Sequence, residues 1–346
     1  MRPAIGGLMT ALVLSGCVVG PDYRRPEVAV PSAFRGATPE AAQDARSFGN
    51  LEWWTVFQDE QLQALIRTAL EQNYDLRVAA TRILQARSQV VIARSFQFPT
   101  ADLGVAAPYD RQTGGNKTPS YETFFPQGGF SLAWELDLWG RFQRATQAAR
   151  ADLLATEDFR RTVVLTLISD VARAYFTLRE LDLEMEISRR TLATRAGFLT
   201  LTKAREQGGV ATLLDVRQAE QLYFTAAATI ADLERSTEQQ ENLISILVGK
   251  NPEAIPRGRP LTQQTLVLAP AVPPGLTSDL LARRPDIRQA EQQLVSANAR
   301  IGEAKALLFP SVVISGFAGA GGAVINGTGF GPFGAFNALP TITLPV

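Results

Sequence analysis

Residues 75–99 read DLRVAATRILQARSQVVIARSFQFP, and residues 286–310 read DIRQAEQQLVSANARIGEAKALLFP. Asp75, Arg77, Ala79, Ala86, Ala93, Phe98 and Pro99 recur as Asp286, Arg288, Ala290, Ala297, Ala304, Phe309 and Pro310, while Leu76/Ile287, Ile83/Leu294 and Val90/Ile301 match conservatively. The distance between the copies far exceeds the period of a solenoid repeat, so the chain reads as a duplicated half-protein. In each copy a helical stretch stops at Phe-Pro, because the residue before proline is pushed out of the α region. Alternating small and apolar residues follow, the period of a strand. Copy one runs on through a second strand and two long helices, from Trp139 to Gly249; copy two stops at Val346, inside its second strand.

The helical part of copy one has no glycine between Gly140 and Gly197 and no proline between Pro126 and Pro252. Val164, Val171, Leu178, Met185, Leu192 and Leu199 recur every seventh residue, a heptad seam. Beyond Gly208-Gly209 a second series follows at Val216, Tyr223, Ile230, Thr237 and Ile244, with Ala219, Ala226, Leu233 and Leu247 beside it. Two long helices joined at a glycine pair predict an antiparallel coiled-coil hairpin over 139–249. At about 1.5 Å per residue the outgoing helix reaches about 100 Å and the returning one about 57 Å. A helix over 74–97 would supply about 36 Å more, so one long helix is expected to be matched by two shorter ones stacked end to end.

The strands carry a second signal. In Phe130-Ser-Leu-Ala-Trp-Glu-Leu-Asp-Leu138, Phe130, Leu132, Trp134, Leu136 and Leu138 share one face, and Ser131, Ala133, Glu135 and Asp137 the other. Alternation of this length with aromatics near an end matches an outer-membrane barrel strand, which would turn Glu135 and Asp137 to the lumen. Ala101–Arg111 is its partner across the loop Gln112–Gln127, and Ser311–Ala320 and Ala338–Val346 are the equivalent pair, separated by a glycine-rich loop Gly321–Gly334.

Formal charge is zero and histidine is absent. No basic run recommends nucleic acid as a partner, and the commonest general base and transition-metal ligand is missing. Nothing suggests a bound cofactor or an enzyme. Arg2, the apolar Ile5–Leu14 and the small residues before Cys17 have the anatomy of a signal peptide over 1–16. Leu14-Ser-Gly-Cys17 contains the only cysteine and reads as a lipobox, in which cleavage exposes Cys17 for acylation. Several acyl chains give the stable anchoring that one cannot. Val18 follows, where an inner-membrane retention signal would carry aspartate, which favours the outer membrane. Residues 17–50, with four prolines, read as an extended segment, 51–260 as the first repeat and 261–346 as an incomplete second one.

Three other motifs reduce to structure. Glu135 and Asp137 form a carboxylate pair without the pocket a glycosidase needs. Gly327-Thr-Gly-Phe-Gly331 lacks the strand, helix and Lys-Ser/Thr of a phosphate loop. Trp53-Trp54 reads as an anchor for the first helix. The turn Gln207–Glu220 is different. Its glycines, and Thr212 or Asp215 opening the next helix, suit a hairpin turn, but so long an arm presenting a small, apolar tip points to a contact surface.

Cys17-Val-Val-Gly-Pro-Asp-Tyr-Arg-Arg-Pro26, Trp53-Trp54…Phe57…Asp59…Leu62, Leu138-Trp-Gly-Arg141, Gly209…Leu214-Asp-Val216…Ala219-Glu220, Leu247-Val-Gly249…Pro252 and Arg283-Arg-Pro-Asp-Ile287 together resemble the outer-membrane efflux lipoproteins of the OprM-like (NodT) branch of the TolC superfamily. The resemblance covers essentially the whole chain. It implies a mixed fold: a homotrimeric TolC-like duct in which each subunit gives four strands to a shared β-barrel and its helices to a coiled-coil periplasmic tunnel. It implies a periplasmic adaptor docked at the tip, here Gly209, Val210, Ala211, Leu214, Asp215 and Ala219, and an inner-membrane RND-type pump behind it. The family's second hairpin, second tip and tunnel-closing residues have no counterpart before Val346, so a fragment or a truncated frame is expected and no gate is assigned. The function implied is a passive exit duct for small molecules. Two other readings stay open: the outer component of a type I protein secretion system, and a lipid-anchored coiled-coil protein without a pore.

Overall fold

A computed structural model describes residues 18–31, 52–115, 119–263 and 279–345. Cys17, the signal segment 1–16 and most of the extended stretch to residue 50 lie outside the described residues. Two compact units are present: Met1–Glu27 with Ile83–Thr156 and Gln289–Val346, and Val28–Arg82 with Glu157–Arg288. The helices are α1 (Trp53–Val56), α2 (Glu60–Gln72), α3 (Tyr74–Ser95), α4 (Arg141–Gln207), α5 (Leu213–Leu247), α6 (Asp279–Arg283) and α7 (Pro285–Ala306). The strands are β1 (Thr100–Ala106), β2 (Tyr109–Gln112), β3 (Tyr121–Phe124), β4 (Gln127–Leu136), β5 (Ser311–Ile325) and β6 (Thr328–Thr343). Among the described residues no helix is long and apolar enough to cross a membrane.

The first unit holds one antiparallel sheet. β1 pairs with β4, β4 with β5 and β5 with β6, while the short β2–β3 hairpin joins the far end of β5. Pro108 and Pro126 separate β2 from β1 and β3 from β4, since proline has no N–H for the ladder. The expected glycine-rich loop Gly321–Gly334 is not there: β5 runs to Ile325, β6 starts at Thr328, and only Asn326-Gly327 turns the chain. Both turn residues have positive φ, 45° and 79°, as a type I′ hairpin requires, and Asn-Gly is the pair that adopts it most readily. The glycines flanking that turn lie within the paired strands β5 and β6 and not in a loop.

The second unit is built around α4. Leu62, Ile66 and Ala69 of α2 pack on Leu167, Val171, Tyr175 and Leu178 of α4 and on Ile244 and Val248 at the end of α5. Seven of these side chains (Leu62, Ile66, Ala69, Val171, Tyr175, Leu178 and Ile244) are 0% exposed, and each of the valine, leucine and isoleucine side chains among them contributes about 1.5–3 kcal/mol of burial. Asp59, also buried, caps α2 by accepting from the amides of Gln61 (2.9 Å) and Leu62 (3.2 Å), and accepts in addition from Arg259 N (3.1 Å) and the Tyr175 hydroxyl (3.0 Å). Burial pushes that hydroxyl up to about 12, so it remains a donor. Gly258 threads the same spot, where any side chain would run into Asp59 and Tyr175.

End-to-end stacking is visible at Asn73. Its Oδ1 accepts from Leu76 N at the start of α3 (3.0 Å), and its Nδ2 donates to the carbonyl of Leu247, the last residue of α5 (2.9 Å). Gly249, at φ +75°, lets α5 end directly against the backbone of Gln72 and Asn73.

Candidate functional site: the apolar wall and the hairpin tip

Residues directly opposite in a ladder point to the same side of the sheet. Leu103 faces Phe130, Phe130 faces Ala318, and Ala318 faces Phe336. The next rows are Ala101–Leu132–Gly316–Ala338, then Trp134–Ile314–Pro340, then Leu136–Val312–Ile342. Every member is apolar or glycine, so four strands present one continuous apolar wall. Phe130, Leu132, Trp134, Phe336 and Ile342 are all exposed on it. A soluble monomer rarely shows so large a contiguous patch, whereas a sheet in contact with lipid needs one. The reverse face carries Thr100, Asp102, Gln127, Ser131, Glu135, Ser311, Ser315, Asn337, Thr341 and Thr343, mixed with small residues and a few apolar ones. There Phe317 lies across the bare backbone of Gly129 and Gly319, in space that a Cβ on either would need. The outer edges of β1 and β6 have no partner among the described residues.

Glu135 is on the polar face and pairs with Arg141 at 2.9 Å. Asp137 is displaced from the expected strand. β4 ends at Leu136, and the Asp137 carboxylate accepts from the amides of Phe142 (3.2 Å) and Gln143 (2.8 Å), capping α4. An acidic group is favoured there by the helix dipole, so Asp137 secures the strand-to-helix junction and does not project from a barrel wall. The start of the extended segment crosses this junction. Val19 N bonds Trp139 O (3.0 Å), and Arg144, 4% exposed, donates to the carbonyls of Val19 (3.3 Å) and Gly20 (3.2 Å) and to Asp22 (3.0 Å). Gly20 lies in backbone contact with Gly302 of α7. Sequence reasoning missed Arg144 and Gly302, since their partners are more than a hundred positions away.

In the second unit the heptad residues of α4 and α5 turn inward as the spacing predicts; Val171, Leu178, Val216, Ala219, Ala226 and Ile244 are buried. At the turn, Gly209 takes φ +71°, and Val210 and Ala211 return their amides to Arg205 O (2.8 and 3.3 Å). Thr212 caps α5: Asp215 N donates to its hydroxyl (3.3 Å), while Thr212 N and Oγ1 both donate to Asp215 Oδ2 (2.8 and 2.7 Å). The bond from the Thr212 amide, then that from its hydroxyl, hold the Asp215 carboxyl below its usual range. Lys203 and Arg217 do the same for Glu220, at 3.0 and 2.7 Å. Val210 is 81% and Leu214 66% exposed, and Leu213 is exposed beside them, whereas Ala219 is 1% exposed. Of the residues expected at a contact surface, Gly209, Val210, Ala211 and Leu214 form the apolar tip, Asp215 braces it, and Ala219 belongs to the seam beneath.

A model of the family described as Outer membrane efflux protein matches residues 65–250 and 276–346. The toluene efflux pump outer membrane protein TtgF of Pseudomonas putida is 34% identical over 355 residues, covering 97% of this chain and 71% of its own length. The cation efflux system protein CusC of Escherichia coli is 29% identical, covering 97% and 72%. The open state of the Neisseria gonorrhoeae MtrE outer membrane channel superposes with a TM-score of 0.77 at 34% identity, over 95% of this chain and 73% of that one.

Proposed function

The chain belongs to the outer membrane efflux protein family, and from that premise we propose how its parts divide the work of an exit channel. Its fold is that of the TolC-like ducts, and it is an outer-membrane channel component of a tripartite efflux system, with a periplasmic helical domain. Channels of this family are trimeric and work with a periplasmic adaptor and an inner-membrane pump. In this chain the wall of β1, β4, β5 and β6 meets lipid, and its free edges join the wall of neighbouring copies. The tip formed by Gly209, Val210, Ala211 and Leu214 receives the adaptor, with Asp215 holding its shape. Cys17, acylated, anchors the mature N-terminus, and the clamp on residues 18–22 supports a fixed attachment point beside the strand-to-helix junction. Glu135 contributes charge to the lumen near that junction.

The observation that carries this reading is the apolar wall, in register over four strands. It disfavours a pore-less coiled-coil protein, which would have no use for it. The duct is passive: the relatives' names span toluene and cations, so cargo is selected by the pump. Placing Leu214→Glu in the full chain tests the tip. Efflux in cells lacking their own duct should fall while trimers persist, because the side chain is exposed. Ala219→Glu should instead loosen the hairpin itself. Undiminished tolerance to pump substrates with Leu214→Glu would refute docking at the tip.

A further inference from the structure

At one level of the sheet two strand tracks are interrupted, β1/β2 and β4/β3, and the other two, β5 and β6, run on through a slip in register. The β1–β4 ladder stops at Ala106↔Gln127 and resumes as β2–β3 only at Tyr109↔Phe124. Between them stand Pro108 and Pro126, the latter in an interior track, where proline is ordinarily excluded. On β5 and β6 the register slips between Gly321 and Ala323, opposite Gly331 and Pro332, and Gly331 takes φ +108°. These positions are neighbours in space. Phe125 N bonds Pro108 O (2.9 Å), Gly322 N bonds Pro126 O (2.9 Å), and Gly331 lies against Gly321 and Gly322. One line of proline and glycine therefore crosses the whole sheet.

Each side of the line is braced within itself. Below it is the apolar wall. Above it, Asn326 at the hairpin turn accepts from Glu122 N (2.8 Å) and donates its own amide to Glu122 O (2.9 Å), while Arg111 pairs with Glu122 at 3.3 Å. β2, β3 and the β5–β6 turn are thus tied into one small piece. β4, ten residues long, rises about 25 Å at about 3.3 Å per residue and a tilt near 40°, the height of an outer-membrane apolar band. If β4 spans that band, its Gln127 end beside Pro126 puts the line at the edge of the band.

We propose that the line Pro108–Pro126–Gly322–Gly331 is a hinge, and that the piece beyond it is a hood that sets the aperture of the exit mouth. The aperture role rests on the exit-channel reading; the hinge does not. Hydrogen exchange on the detergent-solubilised full chain tests the hinge by comparing β3 with β4, two interior stretches of one track. Amides of Tyr121–Phe124 should exchange in concert and at least about tenfold faster than those of Phe130–Glu135, because pieces separated by a hinge open separately. Pro126→Thr, which returns a donor to the ladder, should slow β3 exchange about fivefold, the worth of one hydrogen bond. If that variant fails to fold, Pro108→Thr on the edge track serves instead. Asn326→Ala should uncouple β3 from the β5–β6 turn. Equal exchange in β3 and β4, or a difference untouched by restoring the donor, would overturn the hinge. In planar bilayers the proline variant should damp current fluctuations; undamped fluctuations, or no current at all, would overturn the aperture role.

Discussion

Asn73 joins two helices, α3 and α5, through one side chain, and its replacement should show what that joint is worth. It is 5% exposed, its Oδ1 caps α3 at Leu76 N, and its Nδ2 satisfies the final carbonyl of α5 at Leu247. Asn73→Ala removes both. Loss of the cap costs about 1 kcal/mol, and the part-buried Leu247 carbonyl left without its donor costs up to about 3 kcal/mol, so about 1–4 kcal/mol in all. Asn73→Asp separates the two roles. Aspartate caps a helix as well as asparagine does, but it would set a carboxylate against the Leu247 carbonyl, at the negative end of α5. At pH 7 Asn73→Asp should therefore destabilise at least as much as Asn73→Ala. The introduced carboxyl would have its pKa raised in the folded state. Its penalty is present in full above that raised value and relieved as the pH falls through it toward the ordinary carboxylate value of about 4. Guanidinium unfolding in detergent, followed by far-UV circular dichroism at pH 7 and again in mild acid, gives the comparison. An Asn73→Asp protein within about 0.5 kcal/mol of wild type at pH 7, the range of an ordinary surface change, would show that Asn73 is a cap only and that the end-to-end joint carries no energy.

Three further outcomes follow from the geometry. Gly302→Val would put a side chain into Val19 O and the stem of Arg144, so the N-terminal strap should lift and trypsin should cut at Arg24 at least about tenfold faster; unchanged cleavage would mean that the strap is not held there. The Asp215 carboxyl is held below its usual range by Thr212, so the cap is complete above about pH 4 and lost as the pH falls through the depressed value; amide protection over Thr212–Val216, corrected for intrinsic exchange, should show this loss in wild type and not in Asp215→Asn. Cys17→Ala should abolish radiolabelled palmitate incorporation, and labelling that persists in the variant would refute acylation at Cys17.

Much of the architecture was legible in the sequence because it is written in local periods. The duplicated 75–99 and 286–310 segments, the Phe-Pro helix stops and the heptads meeting at Gly208-Gly209 each depend on residues a few positions apart. Alternation from Phe130 to Leu136 likewise named one face of a strand as apolar, because side-chain parity is a property of a single strand. Which strands would align those faces was beyond it: rows such as Leu103–Phe130–Ala318–Phe336 exist only once register is set between segments some two hundred residues apart. Glycine misled for a physical reason, since a residue without a side chain suits a loop and a curved strand equally, and only the Asn326-Gly327 turn with its partner Glu122 decides between them. Asp137 and Ala219 were named at the correct places in the chain and given different work by the fold. One is drawn to a helix N-terminus by its amides, and the other is buried by the opposing helix. Asn73 and Arg144 gave no signal at all, because a buried polar side chain is explained only by the distant carbonyls it satisfies, and tertiary structure alone brings those within reach.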